Sequence, residues 1–150
     1  MGASAPFLKG KTMSNTKATG VAYLDPEFTT CYASQEIGYA AAGQGAVTQL
    51  TDKSTGVTLN KSAGRITMNN AALSAGAAVS FVLTNSTISI NDTIIVNVSS
   101  NTTGSALGAY TTYVSYLAAG SALITLRNLT AATSYSEAVI INFSIIHGAT

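Results

Sequence analysis

The chain has 150 residues, with seven basic side chains, six acidic side chains and one cysteine. Only 9% of the residues are charged, against about 25% in a typical soluble domain. The net charge of +1 gives no field to attract nucleic acid or an anionic membrane surface, so we expect neither as a partner. The single cysteine, Cys31, excludes an internal disulfide framework, and nothing near it in the sequence indicates a reactive thiol.

Residues 1–45 are predicted to form an extended N-terminal arm. They contain both prolines and show no sustained hydrophobic period. The stretch AYLDPEF predicts a turn at Asp25-Pro26, because proline fixes its own φ and disfavours a helical conformation of the preceding residue. The stretch GYAAAGQG, residues 38–45, is typical of a linker built from small residues.

Residues 46–150 are predicted to contain eight short strands, because Val, Ile, Thr and Tyr fill short runs that turn residues separate. LNKSAGR, residues 59–65, predicts a hairpin loop in which Gly64 can adopt a positive φ. No apolar run reaches the roughly 20 residues of a membrane-spanning helix. The predicted strands cover residues 46–51, 56–60, 64–68, 77–84, 92–98, 108–117, 120–128 and 137–147.

The last predicted strand, EAVIINFSIIH, contains nine nearly uncharged residues in a row, Ala138 to Ile146. Side chains alternate between the two sides of a strand, so one side is predicted to face a core and consists of Val139, Ile141, Phe143 and Ile145. The other side is also too apolar for free exposure to water, and we expect a loop, the arm or a neighbouring subunit to cover it; it consists of Ala138, Ile140, Asn142, Ser144 and Ile146.

These elements predict an all-β fold, an antiparallel β-sandwich, since eight short strands without a long helix are typical of that class. Eight strands in two Greek keys would make it a jelly roll. The predicted domain organisation is an arm over residues 1–45 and a sandwich over residues 46–150. On strand 108–117, alternation places Tyr110 and Tyr116 on one side and Tyr113 on the other, where we expect packing rather than an aromatic platform.

The charges are distributed unevenly along the chain. Residues 1–65 hold ten of the thirteen charged side chains, and residues 66–150 hold only Asp92, Arg127 and Glu137. Solubility usually depends on a net charge well away from zero. We therefore expect other protein chains to cover the sandwich; the alternative is a surface that Ser, Thr and Asn keep hydrated. Seven Asn-X-Ser/Thr sequons are expected by-products of this composition, at Asn60, Asn85, Asn91, Asn97, Asn101, Asn128 and Asn142.

Nothing in the sequence predicts an enzyme. A hydrolytic triad needs Ser, His and an acid in contact, and His147, the only histidine, lies at a strand end, where we expect a structural role. No spacing singles out a pair of carboxylates for glycoside cleavage. One histidine and one cysteine give no clustered ligands for a metal. We therefore predict no catalytic residue, no cofactor and no metal site.

Most of the chain resembles a family of small virion proteins of tailed bacteriophages. The resemblance lies in GAVTQLTDKSTGVTLNKSAGRITMNNAALSAGAAVSFVLTNSTI at residues 45–88 and in ITLRNLTAATSYSEAVIINFSII at residues 124–146. In that family the patterns KSTGVTLN, ITMN and SEAV-INF-II recur. The stretch ATGVAYLDPEF, residues 18–28, is similar to the N-terminal lead of the family.

The resemblance implies a structural role without catalysis. The first expectation is a capsid decoration, or cement, protein on the virion capsid surface, assembled in the bacterial host cytoplasm. Its partners would be the major capsid protein and further copies of itself in a homotrimer, with the arm contacting acidic shell surface through Lys9, Lys11 and Lys17. The alternative expectation is a tail-fibre or receptor-binding module that recognises a host cell-surface glycan through loops such as residues 99–108.

Overall fold

The computed structural model describes residue 30, residues 32–103 and residues 108–148. Within these residues the protein is all-β, apart from one 3-10 turn at Ala41–Gly43. The eight predicted strands are confirmed, and their ends differ from the prediction by at most three residues. The strands are β1 (Gln44–Thr48), β2 (Val57–Thr58), β3 (Ala63–Thr67), β4 (Ala78–Thr84), β5 (Thr93–Asn101), β6 (Tyr110–Ala118), β7 (Ser121–Asn128) and β8 (Val139–Ile146).

The strands form two four-stranded sheets that pack together as a β-sandwich. Sheet A has the order β1-β3-β8-β5, and sheet B has the order β2-β4-β7-β6. The first four strands alternate between the sheets, so β1 pairs with β3 in parallel and β2 pairs with β4 in parallel. A parallel pair needs a crossover connection, and here the connection passes through the strand in the opposite sheet.

The two parallel pairs correct the expectation of an antiparallel sandwich. The other four pairings, β3–β8, β4–β7, β5–β8 and β6–β7, are antiparallel, so both sheets are mixed. A jelly roll built from two Greek keys consists of antiparallel strands, and this finer prediction is not confirmed. The prediction of a hairpin between β2 and β3 is also wrong, because β2 pairs with β4 in sheet B and β3 lies in sheet A.

The core lies between the sheets and consists of alternate residues on each strand. On β4, Phe81 and Leu83 are buried, while Val82 between them is exposed. On β8, the predicted inner side is confirmed, since all four of its side chains are at least 96% buried: Val139, Ile141, Phe143 and Ile145. β3 and β5 flank β8 on its two edges, so the most apolar strand has hydrogen-bonded neighbours on both sides.

The outer side of β8 is only partly covered within the single chain. Ile140 is buried, but Asn142 is exposed and Ile146 is 57% exposed. The prediction that something covers this side therefore holds for Ile140. No described residue covers Ile146 to the same extent, so coverage of this end by a neighbouring subunit stays a prediction.

Gly64 lies within β3 and does not have a positive φ, in contrast to the prediction. A Cβ atom added at this position would lie 2.6 Å from Cδ2 of Leu59 and 2.7 Å from Cε1 of Phe143. Glycine is therefore required by close packing rather than by a turn. A positive φ occurs instead at Gly120, in the tight connection between β6 and β7.

Two sequon asparagines are completely buried at the ends of strands: Asn85 directly follows β4, and Asn128 is the last residue of β7. In both, the side-chain oxygen accepts hydrogen bonds from the backbone N–H and the hydroxyl of the threonine two residues later. Both side-chain amides donate to backbone carbonyls. Asparagine favours such local turns because its short side chain mimics a backbone group. These two sequons therefore stabilise loops.

The compact unit of the sandwich begins at Gly38. The predicted linker at residues 38–45 is part of it, since it includes the 3-10 turn and the start of β1, and the hydroxyl of Tyr39 donates to the backbone oxygen of Ile145. Residues 1–29 and Cys31 lie outside the described residues. The arm predicted for residues 1–45 therefore stays a prediction for the part before Gly38, and so does the turn at Asp25-Pro26.

Replacing Phe143 by alanine is expected to lower the free energy of unfolding by about 3–5 kcal/mol, because it removes a ring from the core and leaves a cavity. The matched control is Ile146→Ala, three residues further along β8 on the outer side, where a change within about 0.5 kcal/mol is expected. Chemical denaturation of the two variants measures both values. Equal effects would show that the sides of β8 are assigned wrongly.

Candidate interaction surface

His147 follows β8 and contacts the carboxylate of Asp92, which lies just before β5. Its Nδ1 atom is 3.1 Å from Oδ2 of Asp92. Oδ1 of Asp92 accepts hydrogen bonds from the hydroxyl of Ser89 at 2.8 Å and from the backbone N–H of Gly148 at 3.1 Å. The Asp92 side chain is fully buried, whereas that of His147 is 46% exposed. The carboxylate thus joins the end of β8 to the β4–β5 loop.

The cluster contains the residue types of a hydrolytic triad in an order that does not support catalysis. In a triad, histidine lies between serine and the acid, so that it can take the serine proton. Here Asp92 lies between Ser89 and His147 and contacts both. Ser89 therefore donates to a carboxylate rather than to an imidazole, and the geometry supports a structural role for this cluster.

Hydrogen bonds hold the pKa of Asp92 at about 2, below its usual 3.8. The backbone N–H of Ser89 has the largest effect, and burial opposes it. The hydroxyl of Ser89, the backbone N–H of Gly148 and the side chain of His147 lower the pKa further. Asp92 is therefore an ionised structural acceptor over the whole neutral range.

Lys53 and Glu137 are also buried, at 3% and 4% exposure. The ammonium group of Lys53 donates to the backbone oxygens of Glu137, at 2.6 Å, and of Asn69. The carboxylate of Glu137 accepts from the amide of Asn101 at 3.2 Å. Burial lowers the pKa of Lys53, and the nearby charge of Glu137 opposes that shift. Both charges tie loops together at one end of the sandwich.

The surface of the sandwich is consequently almost uncharged. Of the three charged residues in 66–150, Asp92 and Glu137 are buried, and only Arg127 is exposed. Burial of two of these charges makes the surface poorer in charge than the composition alone indicates. Between residues 38 and 65, Asp52 and Arg65 are exposed, and Lys61 is partly exposed.

The outer face of sheet B carries a group of exposed apolar and aromatic side chains. Val82, Leu123 and Tyr116 lie opposite one another on β4, β7 and β6, and Tyr113 lies in the next row. Tyr116 is 66% exposed, Tyr113 47% and Val82 43%. We call these four residues the tyrosine patch. Tyrosine is enriched at protein interfaces, and charged residues are depleted in their centres.

The tyrosine patch exists because β6 contains an irregularity. The register between β6 and β7 shifts just before Tyr116, so Ser115 is an extra residue that reverses the alternation of the strand. Tyr113 and Tyr116 therefore share the outer face, and Tyr110 is buried. The prediction that Tyr110 and Tyr116 lie on one side is wrong, since simple alternation does not allow for a bulge.

The outer face of sheet A also combines exposed apolar side chains with little charge. Ile95 on β5 lies opposite Ser144, and Ile146 on β8 lies opposite Thr93. The two isoleucines are therefore diagonal neighbours on adjacent strands, and they are 51% and 57% exposed. Arg65 on β3 is the charged residue of this face.

The predicted shell contacts Lys9, Lys11 and Lys17 lie outside the described residues. The loop at 99–108 is described only as far as Thr103 and again from Gly108. In the described part of the chain, no group of three His, Cys, Asp or Glu residues could hold a metal ion. No helix in that part is long and apolar enough to cross a membrane.

Comparison with family models, curated proteins and solved structures gives no significant match. The candidate site is therefore defined by the geometry of this chain, as two sheet faces with exposed apolar side chains and little charge. Sequence reasoning missed the tyrosine patch because of the bulge. It also missed Arg65, although a single charge within the strand-like run GRITM was a usable signal.

Replacing Asp92 by asparagine is expected to destabilise the protein above pH 3.8 and to have less effect at lower pH. Because the folded-state pKa of about 2 is lower than the usual 3.8, the ionised carboxylate stabilises the fold above 3.8, and this contribution is lost as the pH falls to 2. Thermal unfolding of both proteins between pH 2 and pH 7 measures the difference.

Ser89→Ala serves as the matched control for this titration. It removes one hydroxyl donor and keeps the carboxylate, so its effect should have the same sign and a smaller size. A difference between wild type and Asp92→Asn that stays constant from pH 7 to pH 2 would contradict the assignment of Asp92 as a hydrogen-bonded carboxylate.

Proposed function

We propose that this protein is a bacteriophage virion structural protein, a capsid decoration or cement protein that binds the major capsid protein lattice. The observation that carries the proposal is the nearly uncharged sandwich, which exposes apolar side chains on both outer faces. Such faces are typical of surfaces that another chain covers. The sequence resemblance to small phage virion proteins points in the same direction.

The proposed mechanism is burial of surface rather than turnover. Removing apolar surface from water contributes roughly 25 cal/mol per Å², and a specific interface typically buries about 1,200–2,000 Å² in total. Repeated over the symmetric lattice, these contacts would resist the internal pressure of the packaged genome. Two apolar faces, one on each sheet, would allow each copy to contact the shell and a neighbouring copy at the same time, and the proposed homotrimer would use further surface for its second neighbour.

A second candidate function, recognition of a host cell-surface glycan by a tail-fibre or receptor-binding module, has one observation in its favour. Tyr113 and Tyr116 share the outer face of sheet B and are both about half-exposed or more. Aromatic rings with a polar hydroxyl present an apolar body and a hydrogen-bonding tip. We rank it second because Val82 and Leu123 add apolar surface beside the tyrosines, and the nearest hydroxyls are already engaged with one another: those of Ser80 and Ser115 each lie 2.8 Å from the hydroxyl of Thr125.

Purified protein is expected to bind expanded capsid shells of the phage that encodes it and to raise the temperature at which they rupture, because ligand binding stabilises the bound state. Sedimentation with shells measures occupancy, and light scattering during heating measures rupture. The same protein, labelled with a fluorophore, is incubated with host cells. Bound cells together with bare shells would contradict the cement function and favour the glycan-binding function.

Deletion of residues 1–17 is expected to reduce shell occupancy and leave the sandwich folded, because this segment contains Lys9, Lys11 and Lys17 and precedes every strand in the described part of the chain. Circular dichroism checks the fold, and sedimentation checks occupancy. A full-length variant with these three lysines changed to glutamine separates charge from chain length. Unchanged occupancy of the deleted protein would count against a role of the arm in attachment.

A further inference from the structure

Arg65 lies within the outer face of sheet A, on the second strand from its edge. Its neighbours across the sheet are Ala46 on β1 and Asn142 on β8, and its neighbours two positions along β3 on the same side are Ala63 and Thr67. These side chains are small or neutral. The guanidinium group is exposed and stands among side chains that carry no charge.

Arg65 has no acidic partner among the described residues, where the one ion pair joins His147 and Asp92. Asp92 is buried in that pair, and Glu137 is buried at one end of the sandwich. Asp52 is exposed, but its carboxylate accepts hydrogen bonds within its own loop. Glu36 is exposed and forms no ion pair with Arg65. The positive charge of this face is therefore left without compensation in the part of the chain that the structure describes.

A shallow depression of about 230 Å³ has Arg65 among its lining residues. Pockets for small-molecule ligands usually have volumes of about 300–1,000 Å³, so this depression is better suited to one side chain than to a free ligand. Its lining combines amide groups with apolar surface and consists of Gln44, Gly45, Ala63, Gly64, Asn142 and Phe143 beside Arg65.

We propose that this depression receives a carboxylate side chain, Asp or Glu, from a partner protein, and that sheet A is the face that docks on the shell. The inference rests on the proposed function for the identity of that partner. The planar guanidinium group fits a carboxylate in a bidentate arrangement. The adjacent amide of Asn142 is a further donor, and Ile95 and Ile146 add apolar surface on the same face.

A second copy of this chain is a poor source of the carboxylate. Among the described residues, its exposed acids are Glu36 and Asp52. Asp52 already accepts hydrogen bonds from Ser54 and Thr55, and Glu36 lies outside the compact unit that begins at Gly38, so neither is presented by the sandwich as a free carboxylate. A different protein with an acidic surface therefore complements the face better. This assignment leaves the tyrosine patch on sheet B for contacts between copies.

Charge reversal at Arg65 tests the proposal, with Arg127→Glu as the matched control. Arg127 is an exposed arginine on the outer face of sheet B, where it pairs with Ala78 and Thr111 outside the four residues of the tyrosine patch. Both variants change the net charge equally, and size-exclusion chromatography of each checks that contacts between copies are unchanged. Arg65→Glu is expected to weaken binding to expanded shells by about tenfold or more, because it opposes like charges at the contact. Arg127→Glu should bind almost as wild type does, and both should keep the melting temperature of the wild type.

A crosslinking experiment identifies the acid. In the Arg65→Lys variant bound to shells, a carbodiimide joins the introduced amine directly to a carboxylate in contact with it, and mass spectrometry locates the link. A link to an acid of the major capsid protein supports the proposal. A link to Asp25 or Glu27, which lie outside the described residues, would overturn it, because the chain itself would then fill the depression.

Different results would contradict the cement function and the assignment of sheet A as the docking face. If wild type does not bind shells at all, the cement function fails. If wild type binds and Arg65→Glu binds equally well, the cement function stands, and sheet A is not the docking face. Equal weakening by Arg65→Glu and Arg127→Glu would also overturn the inference, because net charge alone would then explain the effect.

Discussion

The position of β8 in the middle of sheet A is the constraint on which the rest of the structure depends. Its inner side contributes four residues to the core, and its two edges pair with β3 and β5. Hydrogen bonds to β3 and β5 thus hold the two edges of β8, and the core holds its inner side. Polar contacts with loops hold its two ends. Asp92 holds the end near His147, and Lys53 donates to the backbone of Glu137 just before the other end.

The few charges of the sandwich are divided between two uses. Asp92, Lys53 and Glu137 lie inside, where each has hydrogen-bond partners, so their burial is compensated. The outer faces keep two arginines, Arg65 and Arg127, one on each sheet. A surface of this kind relies on Ser, Thr and Asn for hydration, and it offers a partner apolar area with little cost for removing charges from water.

Alternation of apolar residues predicted the strands well because core burial dominates their sequence, as Phe81 and Ile141 illustrate. Three features escaped prediction for physical reasons. The bulge at Ser115 reverses the alternation without a signal in the composition. Glycine is required at position 64 because Leu59 and Phe143 pack against it, and the contact with Phe143 forms only when β3 pairs with β8. Parallel pairing of β1 with β3 depends on which sheet β2 joins, and a two-residue strand carries little information about that choice.

The buried turn asparagines have a practical consequence for producing this protein. Oligosaccharide transfer in a eukaryotic secretory pathway acts on Asn-X-Thr in chains that have not yet folded. A sugar attached to Asn85 or Asn128 could not be accommodated, because both side chains are fully enclosed and engaged in their loops. Export through a glycosylating compartment would therefore trap the polypeptide before its sheets close, whereas synthesis in a compartment without that machinery leaves the route to the native state open.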